Sequence, residues 1–359
     1  MSKFINKTVR KELIDMVPYQ SARRLFSSSD SSSTQGKLWL NANEAPGDGK
    51  YQLNDCNINR YPDFQPDNLL SAYSHYCGLP KENILATRGA DEGIELIIRA
   101  FCKAYQDRIL ICPPTYGMYA ISAENHGAEI VKIPLMENKL DIDSLKLQVG
   151  KVKVVFLCSP GNPTGNLLPQ SQIIEVLNLF KDSAAVVVDE AYIEFSPQNS
   201  AVSMLEKNEH LIILRTLSKA FALAGLRSGF TLASKEIITL LSKIIAPYPI
   251  SAPVAAIASE ALQSELGKMI NRVDGINKRR ENLSRWLMTQ TWCQQVFSSD
   301  ANFILFRCTN EPEKTRLFNL LVSHHILIRD QSAQPQLENC LRISIGSEKE
   351  LAQLQEVLS

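Results

Sequence analysis

The sequence has no excess of charge of either sign: Lys and Arg together number 38, Asp and Glu 38, for a formal net charge of +0. A nucleic-acid or anionic-membrane partner calls for a basic surface, so neither is expected. Nowhere does an apolar run approach the ~20 residues needed to cross a bilayer. The eight cysteines, at positions 56, 77, 102, 112, 158, 293, 308 and 340, include no Cys-x-x-Cys pair. Several lie in apolar runs and read as buried reduced thiols, which excludes a zinc ribbon and a disulfide framework. The five histidines show no His-Glu-x-x-His spacing, and no metal is expected. A nicotinamide enzyme is disfavoured because no Gly-x-Gly-x-x-Gly follows a strand-like run. Gly47-Asp-Gly-Lys50 is too short for a phosphate-binding P-loop and is followed by Tyr51. The N-terminal residues mix charges with apolar side chains and lack a signal-type core, so the expectation is a cytoplasmic protein.

A chain of 359 residues, 45% of them apolar, can bury a large core and is expected to form two domains. Residues 1–36 read as an arm with a helix-like start and a low-complexity segment, Ser27 to Thr34. From 37 to 245, short apolar runs alternate with helical patterns, which predicts an α/β domain with a mostly parallel central sheet flanked by helices. Pro247, Pro249 and Pro253 punctuate the chain at a domain hinge. Residues 246–359 predict a smaller α+β domain: a long helix over about 254–291, strands at 302–307, 326–329 and 340–344, and a helix near 312–324. There is no internal repeat.

Four segments carry chemistry. In the first, Leu211 to Phe230, an apolar strand ends in a polar turn holding Ser218-Lys219, with Arg227 in the loop beyond. A pyridoxal phosphate enzyme keeps its Schiff-base lysine and part of its phosphate site in such a place. Only a neutral amine attacks the cofactor aldehyde, and a free lysine is neutral in roughly one molecule in 2,500 at pH 7, so burial beside another cation would be needed. In the second, the run Ala184 to Val188 reads as a buried parallel strand that delivers Asp189, whose carboxylate suits a pyridinium nitrogen. Glu190, its neighbour, should face the other way. Tyr192 could reach the ring's phenolate oxygen, as could Asn162 of the third segment, Val154 to Gly165. In the fourth, Thr87 to Phe101, helical spacing of Ile94, Ile97, Ile98 and Phe101 puts Gly89-Ala90 just ahead of a helix start with N–H groups free for a phosphate. Asp91 is read there as the helix cap. Tyr116, in the loop after the strand Arg108 to Cys112, is the candidate to stack on the ring. Taken singly, each has a plain structural alternative: a surface lysine, a helix cap, a turn former, a packed tyrosine. The ordered set is what argues for a cofactor site.

These motifs resemble the aspartate-aminotransferase-like pyridoxal phosphate enzymes. The wording of Pro18 to Arg23, Trp39 to Glu44, Asn59 to Pro62, Arg88 to Glu92, Cys112 to Gly117, Asp189 to Phe195, Leu217 to Phe221 and Leu341 to Ile343 is similar to the bacterial histidinol-phosphate aminotransferases, from about Tyr19 to near the C-terminus. The resemblance implies that Lys219 holds the cofactor, Asp189 pairs with its ring nitrogen, Asn162 and Tyr192 hold its phenolate oxygen, and Tyr116 stacks on the ring. It assigns the phosphate to Gly89, Ala90, Ser218 and Arg227, with Asp91 at the same helix start and Tyr61 contributed by the partner of a homodimer. Arg342 would take the substrate's anionic end with Arg329 beside it, and Tyr19 and Asn43 would complete the substrate site. Two departures are visible: Pro160-Gly-Asn162 where many relatives have Pro-Asn-Asn, and a long Ser27–Thr34 segment.

The implied activity is transamination in histidine biosynthesis between L-histidinol phosphate and 2-oxoglutarate, giving imidazole-acetol phosphate and glutamate, with Lys219 as tether and then as base and acid. A guanidinium at Arg342 would fork onto a carboxylate or a phosphate alike. Three rivals stay open: a phospho-amino-acid decarboxylase on the same scaffold, a side activity on aromatic amino acids, and a non-catalytic regulatory module.

Overall fold

The computed structural model describes residues 16–17, 37–47 and 58–359. The helix-like start of the arm, Tyr19 and the Ser27–Thr34 segment lie outside these residues. In chain order the elements are β1 (Leu38–Trp39), α1 (Asp67–Cys77), β2 (Ile84–Thr87), α2 (Gly89–Phe101), β3 (Arg108–Ile111), α3 (Met118–His126), β4 (Glu129–Lys132), α4 (Ile142–Lys146), β5 (Val154–Cys158), α5 (Gln170–Phe180), β6 (Ala185–Asp189), β7 (Leu211–Thr216) and β8 (Gly229–Ala233). They are followed by α6 (Lys235–Ser242), α7 (Ala252–Ser264), α8 (Leu266–Met288), β9 (Cys293–Val296), β10 (Phe303–Cys308), α9 (Glu311–Ser323), β11 (Ile326–Leu327), β12 (Arg329–Asp330), β13 (Cys340–Ser344) and α10 (Glu348–Leu358).

The large sheet has seven strands in the order β2-β8-β7-β6-β5-β3-β4, parallel throughout except for β8, which runs antiparallel to both β2 and β7. Its central strands are apolar without alternation because both faces are covered. On one face Ile109, Ile111, Phe156, Val187, Ile212 and Leu214 pack under Ile94, Ile97 and Ile98 of α2, Tyr119 of α3 and Leu241 of α6. On the other, Leu110, Val155, Val186, Val188, Leu211 and Ile213 meet Leu69 and Tyr73 of α1, Phe180 of α5 and the helices α7 and α8. Each such side chain, fully buried, contributes about 1.5–3 kcal/mol.

The second sheet is antiparallel, in the order β12-β13-β10-β9, and β1 pairs in parallel with β11 beside it. The segment after β1 is thereby tied to the C-terminal part of the chain. Two sequence expectations differ from what is found. The single helix over 254–291 is two, because Glu265, at φ −118° and ψ 12°, leaves the helical region and serves as the cap from which α8 starts. The strand at 326–329 splits into β11 and β12, which pair with different partners, β1 and β13.

Candidate active site

The carboxyl ends of β5, β6 and β7 open onto a cavity of about 530 Å3, the place where ligands bind in open α/β sheets. Alternation along the strands decides what reaches it. Asp189 and Thr216 share the face of Val187 and Leu214 and line the cavity, whereas Glu190 and Arg215 turn to the opposite face and form a buried ion pair at 2.9 Å. Glu190 thus points away from the site, as the alternation anticipated.

Asp189 is 2% exposed. Its Oδ2 accepts the hydroxyl of Tyr119 at 2.6 Å and its Oδ1 the N–H of Ala191 at 3.0 Å. Burial pushes its carboxyl up to about 6, and these two hydrogen bonds pull against that rise. Lys219 follows β7 by three residues, its Nζ donating to the Ala42 carbonyl at 3.3 Å and standing 5.6 Å from the centre of the Tyr192 ring. The residue keeps some exposure to the cavity, yet enough protein surrounds its amine that burial, then the charge of Arg342, lowers it from 10.5 to about 8.

The hydroxyl of Tyr192 accepts an N–H from Asn162 at 3.2 Å and one from Asn43 at 3.0 Å, and burial raises its ionisation well above the usual tyrosine range. Arg342 donates through Nη1 to Asn162 Oδ1 at 2.5 Å and through Nη2 to the Asn41 carbonyl at 3.0 Å. Arg329 lies directly opposite Arg342 across the β12–β13 pair, and both line the cavity. Like charges set opposite one another cost stability, a cost that an anion placed between them offsets.

At the other end, α2 begins at Gly89, with Ala90 and Asp91 lining the cavity beside Ser218 and Arg227. Arg227 Nη1 approaches Ser218 Oγ at 3.4 Å, and its Nη2 donates to Asp91 at 3.2 Å. Asp91 does not cap the helix, contrary to the sequence reading: its carboxylate is drawn to Arg227 and to the hydroxyl of Tyr116, 3.0 Å away, while Glu92 takes the N–H of Arg88 at 2.7 Å. Tyr116 lines the cavity edge-on to Tyr119, their ring centres 5.7 Å apart. Asn43 lines it as well. Tyr61 does not line it; it is 81% exposed and stacks on Tyr248 at 4.5 Å.

The sequence reading missed Tyr119, Thr216, Asn302 and Ser344. Tyr119 stands three residues after Tyr116, and Ser344 two after Arg342 on the same face of β13, so spacing could have flagged both.

The sequence pattern described as aminotransferase class I and II matches residues 29–358. The chain is 64% identical, over 99% of each sequence, to the histidinol-phosphate aminotransferase of Colwellia psychrerythraea. The chain belongs to the class I and II aminotransferases. Among solved structures, the histidinol-phosphate aminotransferase of Clostridium acetobutylicum is similar at 29% identity, with a TM-score of 0.78 over 84% of this chain and 90% of that one. That of Sinorhizobium meliloti, in complex with pyridoxal-5'-phosphate, superposes with a TM-score of 0.83 at 23% identity over 98% of both chains and shares the fold.

Aminotransferases of this class use pyridoxal phosphate, and the residues fit it. A Cβ on Gly229 would come within 2.5 Å of the Gly89 carbonyl carbon and 2.8 Å of the Ala90 nitrogen, and one on Gly89, at φ +76°, within 2.7 Å of Arg227 Nη2. Glycine at both positions leaves helix N–H groups and a guanidinium side by side, a donor set matched to a phosphate. A buried carboxylate held by neutral donors suits a protonated ring nitrogen, and the Tyr192 hydroxyl suits a ring oxygen.

Proposed function

We propose that this aminotransferase exchanges the amino group of L-histidinol phosphate with 2-oxoglutarate, yielding imidazole-acetol phosphate and glutamate in histidine biosynthesis. The full-length identity of 64% with a histidinol-phosphate aminotransferase carries the choice of substrate. When bound, pyridoxal phosphate supplies an electron sink that acidifies the substrate's α-proton and carries the amino group between the two substrates. Lys219 Nζ, neutral in a useful fraction of molecules, takes the α-proton from the amino donor and delivers a proton to the α-carbon of the keto acceptor. Asp189 keeps the ring nitrogen charged, and Tyr192 with Asn162 donates toward the ring oxygen. The start of α2, Ser218 and Arg227 hold the phosphate. Arg342 and Arg329 grip the anionic group of whichever substrate is present, a carboxylate or a phosphate.

We further infer a cytoplasmic homodimer in which Tyr61 reaches the partner's phosphate site. Its exposure, and its place outside the lining of its own chain's cavity, support this. The deciding experiment is a coupled assay with purified enzyme. Glutamate formation that requires both histidinol phosphate and 2-oxoglutarate is expected, with phenylalanine a poorer donor. Carbon dioxide release from an O-phospho-amino acid offered in place of histidinol phosphate, with no keto acid present, would establish the decarboxylase instead.

A further inference from the structure

Asn43 sits where the segment after β1 crosses between the two sheets. Its backbone, at φ 53°, occupies the left-handed region that asparagine tolerates better than most residues. Its N–H donates to Ser344 Oγ at 2.8 Å, and its carbonyl accepts from Asn302 Nδ2 at 2.9 Å. In the side chain, Oδ1 accepts from Ser344 Oγ at 3.4 Å and Nδ2 donates to the Tyr192 hydroxyl at 3.0 Å. The residue is 1% exposed. Three of its polar groups are therefore engaged by the small-sheet side and the fourth by the phenol beside Lys219, a pattern that points to an indirect role and not to the substrate contact read from the sequence.

The Tyr192 hydroxyl has two acceptor lone pairs and one hydrogen. Amide N–H groups of Asn43 and Asn162 occupy the lone pairs, so the hydrogen is left to give. Arg342 strengthens this by polarising the Asn162 amide through Oδ1. Behind Asn43, Ser344 in β13 and Asn302 just before β10 are fully buried.

We propose that Asn43 is a positioning residue: held by Ser344 and Asn302, it fixes Tyr192 as a one-way hydrogen-bond donor to the cofactor's ring oxygen. The proposal rests on the pyridoxal phosphate site described above. Its consequence is electronic, since a hydrogen bond given to the anionic form of that oxygen favours that form.

The test is a double-mutant cycle in the holoenzyme. Asn43→Asp keeps the shape and tolerates the backbone, but offers Tyr192 an acceptor that takes its hydrogen away from the ring. Asn43→Gly suits the positive φ and keeps both backbone bonds while removing the side chain. Tyr192→Phe keeps the ring, which packs edge-on to Phe303 at 5.2 Å. The readouts are the pH midpoint of the bound cofactor's near-visible absorption, and kcat against KM. Each Asn43 variant should raise that midpoint by about half to one pH unit and lower kcat about 5- to 10-fold, the scale of one lost hydrogen bond, with KM little changed. In the Tyr192→Phe background the same substitutions should add almost nothing to either readout. Effects of equal size in both backgrounds would overturn the proposal, because Asn43 would then act through something other than Tyr192. Should Asn43→Asp not fold, Asn43→Gly decides alone. A wild-type protein that bound no pyridoxal phosphate would overturn the cofactor reading itself, and this inference with it.

Discussion

The hydroxyl of Tyr119 donates to Asp189 at 2.6 Å across 70 residues of sequence, and it is the shorter of the two hydrogen bonds that hold this buried carboxylate. Both donors are neutral, so burial dominates and Asp189 titrates near 6 in place of the 3.9 of an unfolded chain. A raised acid has a definite sign: its contribution to stability is present below about pH 4 and lost as pH rises through 6, a difference of about 3 kcal/mol for roughly two units. A protonated ring nitrogen beside it removes the penalty. The stability gap between holoenzyme and apoenzyme should therefore widen as pH rises from about 4 to 6. Glu194, also raised by burial, to about 7, titrates nearby but is present in both forms and cancels. Thermal unfolding of both forms across this range checks the expectation, and Asp189→Asn should flatten the gap. Tyr119→Phe should move the apoenzyme's midpoint higher, since it removes a hydrogen bond to the charged form.

Lys219 controls how fast the cofactor is taken up. With its amine lowered to about 8, about one molecule in ten is neutral at pH 7, against roughly one in 2,500 for a free lysine. The rate at which apoenzyme develops the near-visible band on mixing with pyridoxal phosphate should rise with pH and level off above about 8. Lys219→Ala should give no such band, and Arg should not replace Lys, because it stays protonated. Arg342→Ala removes the second cause of the lowered value and should shift the midpoint upward. In steady-state assays it should also cost about 2–3 kcal/mol, roughly 30- to 150-fold, in kcat/KM for both substrates. A midpoint near 10 in the wild-type protein would contradict the burial argument.

Gly229 is the point where β8 passes against the start of α2. An added methyl would meet backbone atoms of Gly89 and Ala90, not the end of a flexible side chain. Gly229→Ala should therefore push the helix start away from Arg227, lowering stability by about 1–3 kcal/mol and weakening cofactor binding. Melting temperature and the dissociation constant for pyridoxal phosphate measure the two effects. Gly225→Ala, with open space around the added methyl, is the control and should change neither.

The parts of the site legible in the sequence are those set by one strand and its turn. Strand alternation is enough to send Asp189 into the cavity and Glu190 away from it, and the apolar run before Ser218-Lys219 fixes where that turn emerges. What was not legible depends on closures across the chain. Asn43 meets Ser344 at a separation of 301 residues and Tyr192 at 149, and no local pattern specifies such partners. Asp91 reads as a helix cap because the local rule is satisfied, yet Arg227, 136 residues away, offers a full charge, which outweighs a single capping bond. The break between α7 and α8 was hidden because Glu265 is a good helix former, and only its backbone angles mark the interruption.

Tyr61 gives the last expectation, that each active site is shared between two subunits. The residue is 81% exposed, is stacked on Tyr248 at the surface and lies outside the cavity of its own chain. An exposed aromatic pair of this kind suits burial against a second copy, and a two-fold interface would make the exchange reciprocal. Mixing distinguishes this from a purely local role. Lys219→Ala enzyme and enzyme carrying a disabling substitution at Tyr61 are dissociated together and allowed to reassociate. In a mixed dimer with a shared site, both defects fall on one active site and neither on the other, so activity should return to a substantial fraction of wild type. If Tyr61 acts within its own chain, every site keeps one defect and no recovery occurs. Carrying a different affinity tag on each variant and purifying through both tags in turn isolates the mixed dimers, so activity is read on a species that contains one chain of each kind.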